Sequence, residues 1–116
     1  MGDLTMPKDD YFVITYRLLT YLYTCLKRDK SPDPAMLSAG YFEIGASYWE
    51  YIIKNLYEDG YISGILVIQT VTPIDGIVKI QPNVKITPKG IQHLSDNSMF
   101  KRIKEFAKDV AAIIPV

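Results

Sequence analysis

Two side chains in this 116-residue chain carry chemistry that works near neutral pH: its lone cysteine, Cys25, and its lone histidine, His93. A thiolate nucleophile needs a nearby base, and a metal needs several ligands at close spacing. Cys25 sits beside Leu22 and Leu26 on an apolar helical face, as a small core hydrophobe does. His93 lies between Gln92 and Leu94 with no second ligand at metal spacing. A single cysteine also excludes an internal disulfide and a Cys-rich zinc site. Asp9, Asp10, Asp29 and Asp33 fall at helix ends and turns, and Gly60 and Gly64 are isolated rather than gathered into a phosphate loop. These residues point away from an enzyme and imply no metal or cofactor.

The remaining chemistry is recognition. Tyr48, Tyr51, Lys54 and Asn55 recur at three- and four-residue spacing, which places them on one helical face. Asn pairs with adenine, Lys reaches guanine or phosphate, and Tyr either stacks on a base or anchors a protein interface. From Gly40 to Ile62, however, Glu43, Glu50, Glu58 and Asp59 stand against a single base, Lys54. Phosphate neutralisation supplies much of the affinity for DNA, so this segment needs help from other surfaces. Lys79 and Lys85, Lys89, and the pair Lys101 and Arg102 are the candidates for contacts to a DNA backbone. Each also fits a solvated helix face or a guarded strand edge. The whole chain balances 13 basic against 13 acidic side chains, so no global field decides the matter. Two readings stay open: a weak or accessory binder of double-stranded DNA, and an interaction module for another protein.

The elements that must position these residues follow from periodicity and punctuation. A long helix is expected over 10–28, with Asp9 and Asp10 at its positive end and Lys27 and Arg28 at its negative end. Its apolar face, which includes Tyr16, Leu18, Leu19 and Leu22, is too wide for one neighbour. A helix-turn-helix is expected over 34–60. Asp33 caps its first helix, with Pro34 inside and Gly40 at the end. Ser47 and Glu50 form a capping box for the second, which runs to Asp59 and is stopped by Gly60. Trp49, Ile52, Ile53 and Leu56 form the inward face of that helix. The Ile- and Val-rich segment 61–86 reads as a hairpin turning at Asp75-Gly76, with Pro82 limiting the second strand. Helices are expected over 88–113, the first capped by Thr87. The second carries a stripe of Met99, Ile103, Phe106, Val110 and Ile113 that meets either the first helix or, in a homodimer through the first and last helices, a second copy. No run is long and apolar enough to cross a membrane, and the first residues lack the regions of a signal peptide, so a cytoplasmic location is expected.

This order is that of an α+β winged helix-turn-helix: a three-helix core, a β-hairpin wing and additional C-terminal helices in a single domain over 1–116. Ile44-Gly45, Trp49, Ile53, Leu56 and Gly60-Tyr61-Ile62 are similar to the winged-helix register, and Ile86-Thr87-Pro88-Lys89-Gly90 resembles the segment that leads from a wing into the next helix. With Met99 to Glu105, the chain resembles the YjcQ-like winged-helix family, small phage-associated proteins of Gram-positive bacteria. The resemblance implies the fold more firmly than a role, and a phage regulator is the DNA-binding role it would fit.

Overall fold

The structure is a computed structural model and describes residues 7–68 and 77–106. Helix α1 spans Tyr11–Lys27, and the Asp10 carboxylate caps it by accepting from the Phe12 N–H. One side of α1 lies on the hairpin, while another meets the two C-terminal helices. That is why its apolar face is so wide: Ile14, Leu18, Leu19 and Leu22 are all buried.

The next segment departs from the expected single short helix. Pro34–Met36 is one 3-10 turn, capped by Asp33. Ser38 then starts a separate helix, α2 (Ala39–Phe42), by accepting from the Tyr41 N–H. Gly40 therefore sits inside a helix, and the left-handed residue that ends it is Glu43 (φ 59°). The expected capping box is also absent. Helix α3 (Ala46–Glu58) has Gly45 at its N-cap with no side-chain cap bond, so Ser47 already lies in the first turn. The inward face is as expected, with Trp49, Ile52, Ile53 and Leu56 buried. Trp49 stacks on Phe42, and the Arg17 guanidinium lies over the other ring of that pair, 4.8 Å from the Phe42 centroid.

Strands β1 (Ile62–Ile68) and β2 (Ile77–Ile86) form a two-stranded antiparallel hairpin. The expected turn, Thr72 to Gly76, lies outside the described residues. Pro82 does not end β2. Ser63 pairs with Lys85 and Ile65 with Ile80, so Gly64 alone faces the stretch Gln81-Pro82-Asn83-Val84. Pro82 is accommodated in this bulge, where no ladder hydrogen bond is required of it. Gly64 (φ 80°) permits the crossing, because a Cβ there would meet the Val84 backbone at 2.6 Å.

Helix α4 (Pro88–Asp96) is docked by its own cap. The Thr87 hydroxyl accepts from the Gly90 N–H and donates to the Gly60 carbonyl, while the Thr87 N–H bonds the Tyr61 carbonyl. His93 then stacks on the Tyr61 ring, with the Phe100 edge against its other side. Helix α5 (Ser98–Phe106) starts where Asn97 accepts from the Phe100 N–H. Phe100 and Ile103 are buried, and the Phe100 ring lies beside Tyr16 of α1. Val110 and Ile113 lie outside the described residues. The arrangement is a mixed α+β fold, helices around one antiparallel hairpin, and it is compatible with a winged helix.

Candidate functional site

The outward side of α3 does not stand alone. The short segment before α1 crosses the start of α3 and is held there at two points. The Tyr48 hydroxyl donates to the Asp9 carbonyl at 2.8 Å, and the Lys8 ammonium pairs with Glu43 at 3.4 Å. The second contact is between exposed groups and adds little. The first fixes a half-buried ring. Tyr11, in the first turn of α1, lays its ring edge-on to Tyr51 at 6.3 Å and to Phe12 at 5.4 Å. Tyr11, Phe12, Tyr48 and Tyr51 thus form one aromatic face built from two elements far apart in sequence.

Its electrostatics are acidic. Burial pushes the Tyr48 phenol up, and Asp10 and Asp9 push it further. Burial likewise raises Tyr11, helped first by Asp59 and then by Tyr51 and Tyr48. Raised phenol values keep these hydroxyls protonated, so they act as neutral hydrogen-bonding rings edged by carboxylates.

The expected recognition residues fare differently from one another. Tyr51 is 59% exposed and is the most open of the large side chains in the face. Tyr48 is tied to the backbone of residue 9. The Asn55 amide donates one of its two N–H groups to the Tyr51 carbonyl of its own helix at 2.7 Å. Lys54 is half-buried on the same helix.

The expected backbone contacts lie on three elements, β2, α4 and α5. Lys79 and Lys85 are exposed on β2. Lys85 borders a cleft of about 240 Å³ with Lys30 and Asp29, at the far end of α1 from Tyr11. Lys89 lies over the Tyr61 ring, 5.7 Å from its centroid. Lys101 and Arg102 are exposed on α5, where the Arg102 guanidinium reaches the Met99 sulfur. Lys89 is linked to the aromatic face through Tyr61, one of the rings around Tyr11. Sequence reasoning missed Asp9, Asp10, Tyr11 and Phe12 as parts of this face. Asp9 and Asp10 read as helix-start residues and Tyr11 and Phe12 as part of the apolar face of the first helix, and nothing local signals a contact made across 39 positions.

The other candidate chemistry is taken up in packing, with Cys25 buried and His93 half-buried. Cys25 is a buried free thiol at the end of α1, and burial lowers the His93 value, with Asp59 opposing. Among the described residues no His, Cys, Asp and Glu side chains cluster to hold a metal ion, and no helix is long and apolar enough to cross a membrane.

Fold and face together define an α+β protein in which helices surround a β-hairpin and an aromatic, acidic face spans α1 and α3. The chain belongs to the YjcQ family, whose model, described as YjcQ protein, matches residues 16–113. No curated protein and no solved structure matches it. The matched stretch opens within α1, after the residues of its first turn that build the face.

Proposed function

We propose that the chain is a winged helix-turn-helix used as a protein-interaction module, and that the aromatic face of α1 and α3 docks an arginine-rich segment of another protein. The observation that carries this reading is the engagement of the recognition surface by the chain itself. Tyr48 and Asn55 each donate a hydrogen bond to a backbone carbonyl, Tyr51 is braced by Tyr11, and the carboxylates of Asp9, Asp10 and Asp59 act on the Tyr48 and Tyr11 phenols. A surface that must approach phosphates carries the opposite charge. Guanidinium groups, by contrast, stack on tyrosine rings and pair with carboxylates, and exposed tyrosine is a common interface anchor. No catalytic step is assigned to the chain, and no cofactor.

The alternative, an accessory regulator that grips double-stranded DNA through Tyr48, Tyr51, Lys54 and Asn55 with Lys79, Lys85, Lys89, Lys101 and Arg102 on the backbone, is decided by the same experiment. An arginine-rich peptide and a short duplex are each titrated into the protein at low and at physiological salt. The proposal expects peptide binding that Tyr51→Ala weakens by about tenfold without lowering the melting temperature. Duplex binding that falls steeply with salt, with no peptide binding, would overturn it.

A further inference from the structure

We propose that the cleft between the loop after α1 and the β2 bulge binds a small amphipathic acid, an aliphatic chain ended by a carboxylate. The cleft has two parts. An inner chamber of about 570 Å³ is floored by the core itself: Leu37, Trp49 and Val84 are buried there, and Val78 and Ile80 are half-buried. This volume lies in the range of small-molecule sites. An outer part of about 240 Å³ holds Asp29, Lys30 and Lys85, all exposed. Ser31, Pro32, Pro82 and Val84 line both parts, so the two meet along one seam.

The inner walls select the body of the ligand. Among the described residues no charged side chain lines the chamber, and its polar ones are Ser31 and Gln81. Pro32, Pro34 and Pro82 have no N–H, so the wall offers a peptide backbone few donors. A hydrocarbon chain asks for none and gains from leaving water.

The outer part selects the head. Lys30 and Lys85 outnumber Asp29, and among the described residues neither lysine is paired with a carboxylate. The carbonyls that end α1 would repel an anion if left bare. Here the Arg28 N–H bonds the Thr24 carbonyl and the Lys30 N–H bonds that of Cys25. One negative head beside the two ammonium groups, with its chain in the chamber, matches both parts. Exposed ion pairs are weak, so the chain supplies most of the affinity and the head sets the preference. None of Tyr11, Phe12, Tyr48 and Tyr51 lines this cleft, so it stands or falls apart from the aromatic face.

Trp49 is the only tryptophan in the chain and lines the chamber, so its fluorescence reports occupancy. The full chain is titrated with octanoate, octanol and octylammonium, each up to about 1 mM. Octanoate should change the Trp49 emission saturably and raise the melting temperature, as a ligand of the folded state does. It should bind more tightly than octanol, with octylammonium weakest. The double variant Lys30→Gln, Lys85→Gln changes only exposed positions; it should weaken octanoate by about fivefold and leave octanol unchanged. Trp49 emission indifferent to octanoate, a melting temperature lowered by it, equal binding of the three ligands, or octanoate binding untouched by the two substitutions would each overturn the proposal.

Discussion

Gly90 gives the sharpest test of how the C-terminal half is docked. It lies in the first turn of α4, directly over the link between α3 and β1. A Cβ there would overlap the Tyr61 carbonyl oxygen and come within 2.8 Å of the Ile86 side chain. The carbonyl is backbone and already accepts from the Thr87 N–H, so it has little freedom to yield. Overpacking of this kind costs about 3 kcal/mol at the upper end of its usual range. Alanine returns up to about 1 kcal/mol through its better helix propensity. Gly90→Ala should therefore lose about 2 kcal/mol, a fall of about 8 °C in melting temperature for a chain of this size. Gly40→Ala is the matched control. It is also a helical glycine, but its Cβ would meet nothing within 4 Å. It should gain up to about 1 kcal/mol. Thermal denaturation followed by circular dichroism compares the two directly. A Gly90→Ala protein that melts at or above the wild type would refute the docking of α4 described here.

Two further outcomes follow from the caps and from His93. Ser47→Ala should change stability by less than about 0.5 kcal/mol, because Ser47 is not the N-cap of α3. Ser38→Ala should cost about 0.5–2 kcal/mol in urea denaturation, since its hydroxyl accepts from the Tyr41 N–H. His93 is held below its ordinary value by burial, so the unfolded chain binds its proton more readily than the folded one. Its contribution to stability is complete above about pH 6.5 and is lost as pH falls below that towards the folded value. His93→Phe keeps a ring between Tyr61 and Phe100 and should flatten the pH dependence of the melting temperature in that window.

Local signals in the sequence were enough for the elements whose causes are local. Asp33 and Thr87 cap the elements expected of them, Asp10 stands at the start of α1 as expected, and the 3–4 spacing of Trp49, Ile52, Ile53 and Leu56 sets the buried side of α3. What escaped depends on contacts between distant residues. A left-handed glutamate at position 43 replaced the expected glycine stop. Tertiary packing fixes that turn, and the preference for glycine there is only a preference. The Ser47–Glu50 pair has the spacing of a cap, yet α3 begins earlier, at Ala46. Pro82 stayed in a strand because a bulge absorbs it opposite Gly64. Phe100 lay beside the expected stripe of the last helix rather than in it, since α5 is rotated to bring that ring to His93 and Tyr16. The candidate site was half legible: α3 displayed its tyrosines and its acidity, whereas the part supplied by Asp9, Asp10, Tyr11 and Phe12 arises only from folding.

An NMR titration of the ¹⁵N-labelled chain with an arginine-rich peptide probes the aromatic face most directly. Shifts confined to the amides around Tyr11, Phe12, Tyr48 and Tyr51, with none on Lys79, Lys85, Lys101 or Arg102, are what a docking face across α1 and α3 requires. Shifts that instead track those four cations when duplex DNA is added, with the tyrosine amides unmoved by peptide, would contradict it.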